Sequence, residues 1–218
     1  MKSRNPSDTS FRAIMGAILF GGIACLFSGC ASQHMTRTAS NIHPPIPDKQ
    51  AQIVFMRPSS FGGAIQSSLY EVRGDAQEFL GIVSAKTKLA HHVPAGEHLF
   101  MVVAENADFM AANVEAGKTY YVLVSARPGV WKARFSLIPI HNDPAEKYNL
   151  TDPQFANWVK STHFVELLDS GRKWYEDHAN NISQMRRDYM AKWDARSPES
   201  KKQQILHAKD GVETPASR

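Results

Sequence analysis

The chain has 218 residues, 43% of them hydrophobic, and a formal net charge of +4. That length suits one packed domain with an appendage. Lys2, Arg4 and Arg12 stand against Asp8 at the start, whereas residues 31–218 hold 22 Lys and Arg against 20 Asp and Glu, so the charge gives no reason to expect a nucleic-acid partner.

Behind the basic head runs a 15-residue apolar stretch, residues 13–27. A spanning helix takes about 20 apolar residues, so this stretch reads as an export signal. It closes on Phe27-Ser28-Gly29-Cys30, which resembles the lipobox of bacterial lipoproteins, with Phe27 where leucine is usual. The resemblance implies cleavage between Gly29 and Cys30 and attachment to the membrane through lipid (palmitate among its chains) on Cys30. Ala31 in place of Asp implies, by the enteric sorting pattern, a periplasm-facing lipoprotein of the outer membrane. Residues 1–30 read as the lipoprotein signal region, and Cys25 leaves with the part cleaved ahead of Cys30, so the mature chain is expected to have no disulfide, no thiolate metal site and no cofactor.

Residues 31–50 are rich in Ser, Thr, Asn and Pro and read as a flexible tether with an extended reach of about 60–70 Å. From residue 51 to 141 short β-branched and aromatic runs alternate with turn signals. They predict strands at 52–56, 64–72, 78–83, 88–93, 98–104, 109–114, 119–125 and 131–138. Each intervening turn is too short for a helical crossover, which predicts a mainly β fold, an antiparallel sandwich of about eight strands. The run Thr119-Tyr120-Tyr121-Val122-Leu123-Val124 carries bulk on both faces and reads as a central strand.

Residues 145–211 read as a helical extension, with residues 212–218 a disordered tail. Asp152-Pro153 predicts a helix start, Asp169 or Ser170 a second, and Ser197-Pro198-Glu199 a third that ends at Asp210-Gly211. The second helix carries a stripe of Trp174, His178, Ile182, Met185, Tyr189 and Trp193 at helical spacing. The stripe is open to two readings, packing against the strands or a partner-binding face anchored by Trp174, Tyr189 and Trp193.

Three segments carry a wider likeness. Arg57-Pro58-Ser59-Ser60-Phe61-Gly62-Gly63-Ala64, Pro94-Ala95-Gly96-Glu97-His98 and Glu115-Ala116-Gly117-Lys118-Thr119-Tyr120-Tyr121 resemble a family of bacterial lipoproteins known only as a domain of unknown function. The last two are also similar to envelope β-sandwich modules of the PEGA type. The likeness covers roughly residues 50–140 and implies no catalytic residue.

The segment from Ala112 to Thr119 imitates a phosphate loop, but Ala112 stands where the first glycine belongs and a strand follows, so no nucleotide is expected. Gly117 instead suits a positive φ in a hairpin. His91, His92 and His98, with Glu97, are the clustered metal-ligand types; adjacent strand residues face opposite ways, so only one of His91 and His92 could meet His98. Ser59, Ser60, Phe61, Gly62 and Gly63 form a candidate binding loop, or a bend with Phe61 folded onto the core. No nucleophile elbow or paired carboxylates stand out, so an enzyme is not expected. The expectation is a lipid-anchored, non-catalytic binding or assembly component with an envelope protein or glycan partner. The alternative is a small-ligand or metal sensor built on the His91/His92/His98 turn or the Phe61 loop.

Overall fold

The computed structural model describes residues 34–63, 65–128 and 133–214. Gly29 and Cys30, and the starts of two predicted strands at Ala64 and Trp131, lie outside the described residues. The strands are β1 (Met35–Arg37), β2 (Gln50–Arg57), β3 (Ser67–Arg73), β4 (Ala76–Val83), β5 (Thr87–Pro94), β6 (Gly96–Val103), β7 (Ala107–Val114), β8 (Lys118–Pro128), β9 (Ala133–Ile140), β10 (His163–Leu167), β11 (Ile205–Leu206) and β12 (Val212–Glu213). The helices are α1 (Pro153–Ser161), α2 (Asp169–Asp194) and α3 (Pro198–Lys201). Asp152 caps α1 by accepting from the Gln154 amide at 2.8 Å, with Pro153 in the first turn, as the Asp-Pro pair predicts.

The chain is mainly β, in two open sheets. One runs β1-β10-β5-β2-β8, with β12 and β9 both pairing β8; the other runs β11-β7-β6-β3-β4. The predicted antiparallel arrangement needs correction, because β2 pairs β8, β10 pairs β5 and β11 pairs β7 in parallel. Short turns exclude a crossover between successive strands, but β3, β4, β6 and β7 of the second sheet, together with β5 of the first, lie in the chain between β2 and β8 and provide the crossover. Every residue of β2 after Gln50 is buried, as its place between β5 and β8 requires.

The sheets share one core in which Phe55 of β2 meets Phe100 of β6 edge to face, with ring centroids 5.3 Å apart. Outside the first sheet, Phe155, Trp158 and Val159 of α1 cover Val54, Met56 and Tyr121. Outside the second, α2 covers Tyr70, Met101 and Phe109. Arg186 of α2, 5% exposed, donates to Gln77 and to the Gly74 and Asp75 carbonyls, tying the helix to the β3–β4 turn. Gly81 sits at φ +147° beside a register shift of β3, and a Cβ there would stand 2.9 Å from Met35 Cε, so the glycine admits Met35 into the core.

Four predicted boundaries change. Residues 34–50 are not a tether. Met35–Arg37 pairs with β10, and Asn41 bonds the backbone of Thr162 and Phe164. Nor do residues 145–211 form an extension, since they supply β10 and β11 to the two sheets. The third predicted helix stops at Lys201, and the chain then pairs with β7 as β11. Residues 212 and 213 pair with β8 rather than forming part of a tail. No helix among the described residues is long and apolar enough to cross a membrane.

Candidate functional site

The alternation of β5 sends His91 inward, between the sheets, and His92 outward. His91 Nε2 lies 3.3 Å from Glu71 Oε2, and His98 Nδ1 donates to Glu71 Oε1 at 2.8 Å. Arg73 adds a third contact at 2.8 Å, and the Glu71 side chain is 3% exposed. Burial alone would push the Glu71 pKa up. The hydrogen bonds from His91, His98 and Arg73 outweigh it and hold the carboxyl well below its usual range. The other nitrogen of His98, Nε2, lies 2.9 Å from the Pro94 carbonyl. A carboxylate and a carbonyl both accept only, so both His98 nitrogens donate and the ring is an imidazolium. Its pKa is raised, chiefly by the bond to Glu71.

The metal reading is overturned by this geometry. Glu71 binds both inward imidazoles directly, Glu97 is exposed on the opposite face of β6, and His92 faces away. No group of three or more His, Cys, Asp or Glu among the described residues can hold a metal ion.

His92 belongs to a network centred on Gln52, which is fully buried. Gln52 Nε2 donates to the Pro44 carbonyl at 2.9 Å and to His92 Nε2 at 3.0 Å, and its Oε1 accepts from His43 Nδ1 at 2.8 Å. The Tyr121 hydroxyl reaches His43 Nε2 at 3.3 Å. In this pattern each imidazole offers one lone pair and is neutral. Burial lowers the pKa of both rings, with the charge of Lys88 adding to the effect at His43 and that of His91 at His92.

At residues 59–63 the bend with Phe61 folded onto the core does not form. Arg57, fully buried, donates to the Ile65, Val83, Phe61 and Gly62 carbonyls while its guanidinium stacks 4.4 Å from the Phe135 ring. Burial lowers the Arg57 pKa to about 10. The loop is thus fastened from below, yet Phe61 is 53% exposed and not folded onto the core. On α2 the packing alternative holds. Trp193 is buried, Tyr189 packs against the second sheet and Trp174 against the main core, so these rings are engaged within the molecule. Gly117 has φ +78° in the turn before β8, and no helix follows it.

Sequence reasoning passed over a cleft of about 310 Å³ beside β9. Its walls come from β7, β8, β9, the 146–148 turn and residues 196–204, and include Arg127, Ser136, Lys147, Tyr148 and Arg196. Segments so far apart in the chain leave no local signal. Asp108 is held inside the wall by Gln204 Nε2 at 2.8 Å and by Arg196 at 3.5 Å. Arg127 donates to the neutral Ser136 hydroxyl, and Lys147 lies 5.2 Å from the Tyr148 ring. At the cleft's end His141 Nδ1 donates to the buried Asp210 at 2.9 Å, and the Asn142 and His207 amides complete its shell. Burial opposes ionisation of Asp210, but these bonds prevail and lower its pKa. Ser136 and His141 are five residues apart along an extended segment, about 16 Å, so they do not form a nucleophile and base pair. The Asp210 bonds instead fasten the C-terminal segment to the end of β9. Among the described residues Arg127 and Lys147 contact a hydroxyl and an aromatic ring, while Arg196 pairs with Asp108 and Glu146 adds a carboxylate to the lining. It is therefore the first two cations that can receive a carboxylate or another anion.

No protein-family model matches the chain, and neither does any curated protein.

Proposed function

We propose that the protein is a lipid-anchored, non-catalytic binding component of the bacterial envelope, acylated at Cys30, facing the periplasm from the outer membrane. Its two sheets serve as a sandwich scaffold, and its cleft beside β9 receives an anionic segment of an envelope protein or glycan. The observation that carries the binding reading is the pair Arg127 and Lys147, whose contacts among the described residues are a hydroxyl and an aromatic ring. The lipobox resemblance carries the anchor. A small carboxylate ligand is the second reading, favoured by a volume near the lower end of small-molecule sites, about 300 Å³.

The test keeps the full chain, since residues 163–167 and 205–206 are strands of the sheets. A photo-crosslinking residue replacing Tyr148, Ser200 or Gln203 in living cells is expected to give a discrete adduct that Arg127→Glu abolishes. An adduct of protein mass, or one digested by a glycan hydrolase, identifies the partner class; loss of crosslinking on adding a small carboxylate supports the second reading. Absence of an adduct from all three positions overturns the binding proposal. Cys30→Ser is expected to abolish palmitate labelling and membrane retention; labelling that survives overturns the anchor.

A further inference from the structure

Because residues 34–50 are built into the fold, only residues 31–33 separate Cys30 from the first described residue, His34. Fully extended, the four residue steps from Cys30 to His34 span at most about 14 Å. A domain of this length is about 40 Å across. The leash is a third of the diameter of the body it holds, too short for the body to turn freely over the lipid.

The surroundings of His34 are therefore decisive. Its carbonyl accepts from the Leu168 amide at 3.1 Å and lies 2.6 Å from where a Cβ on Gly171 would stand, so the first turn of α2 wraps the leash's attachment point. Leu168 is one of three large apolar side chains exposed among the described residues, at 38%. Beside it Arg172 and Lys173 have side chains 64% and 74% exposed, each paired only loosely with an exposed acid, Asp169 at 3.8 Å and Asp177 at 3.7 Å. An apolar side chain flanked by long cationic ones suits the headgroup region of a phospholipid surface.

We infer that the turn at Leu168 and the first turn of α2 lie against the bilayer that carries the Cys30 anchor. The inference rests on the acylation proposed above. The sheet order adds its counterpart. β1 and β9 lie on opposite sides of the first sheet, five strand spacings or about 24 Å apart, so the β9 cleft is presented away from the lipid.

The mature chain has no thiol besides Cys30, so single cysteines can be labelled cleanly. Full-length acylated protein in phosphatidylethanolamine and phosphatidylglycerol vesicles would carry a fluorophore at Leu168→Cys or, on the far side, at Lys147→Cys. A lipid-borne spin-label quencher is expected to quench the Leu168→Cys probe at least threefold more than the Lys147→Cys probe. Inserting twenty Gly and Ser residues after Ala31 is expected to bring the two to within a factor of about 1.5. Equal quenching before insertion, or a difference that survives insertion, overturns the inference while leaving the acylation intact. Protein that takes up no palmitate at Cys30 overturns both, and the labelling reports this separately.

Discussion

His91 and His92 are neighbours in β5, yet they belong to opposite kinds of polar cluster. On the inner face a buried carboxylate gathers His91, His98 and Arg73 and requires His98 to be charged. On the outer face a buried amide gathers His43 and His92 and requires both to be neutral. One residue of strand alternation thus separates a cluster stabilised by a proton from one disrupted by it. The difference lies in the acceptor at the centre, Glu71 or Gln52, and not in the histidines.

The largest effect is expected from Glu71→Ala. It strands a buried imidazolium and should cost about 3–5 kcal/mol in urea unfolding. Gln52→Leu leaves the Pro44 carbonyl and two imidazoles short of partners and should cost about 2 kcal/mol. If the second cost equals the first, the distinction between a charged and a neutral centre is wrong.

The pH dependence sharpens the contrast. His98 is held above its ordinary 6.5, so its contribution is complete below pH 6.5 and fades as the pH rises through the raised value. His43 and His92 are held below 6.5, so the unfolded chain takes up protons first and stability falls as the pH drops below 6.5. Glu71 adds a second acid-side loss as the pH falls below its ordinary 4.5. Arg73, charged throughout, and His91 face Glu71, and Lys88 acts on His43. Chemical denaturation across pH 4 to 9 is expected to show greatest stability near pH 6.5 from these groups. His98→Gln should flatten the alkaline limb and Gln52→Leu the limb just below 6.5; unchanged limbs would sink the assignment. Smallest is Arg73→Ala, whose side chain is 59% exposed and bridges Glu71 and Glu78; it should cost under about 1 kcal/mol and less in high salt.

The eight runs of β-branched and aromatic residues correspond to β2–β9, and the opposed facing of His91 and His92 followed from alternation alone. β1, β11 and β12 did not, because strands of two or three residues have no period to detect and exist only through their partners. Glu71 was missed for a related reason. Between Tyr70 and Val72 it looks like any strand carboxylate, and only the approach of β5 and β6 makes it a centre. Arg57 stands in the sequence at the edge of a turn, while its burial depends on carbonyls from two later segments. Long amphipathic and capped segments speak for themselves; short edges and buried polar centres are set by tertiary neighbours.

The pairing of β1 with β10 has a bearing on the order in which the chain can fold during synthesis. Residues 35–37 find their partner only after residue 163 has arrived, and β7 and β8 gain β11 and β12 later still. Such non-local closure makes folding slow and leaves backbone edges bare in the interval. Strand β1, among the first segments made, is among the last to settle. A chaperone that shields strand edges until the last strand is made would therefore raise the yield of folded protein more than one that acts on the helices.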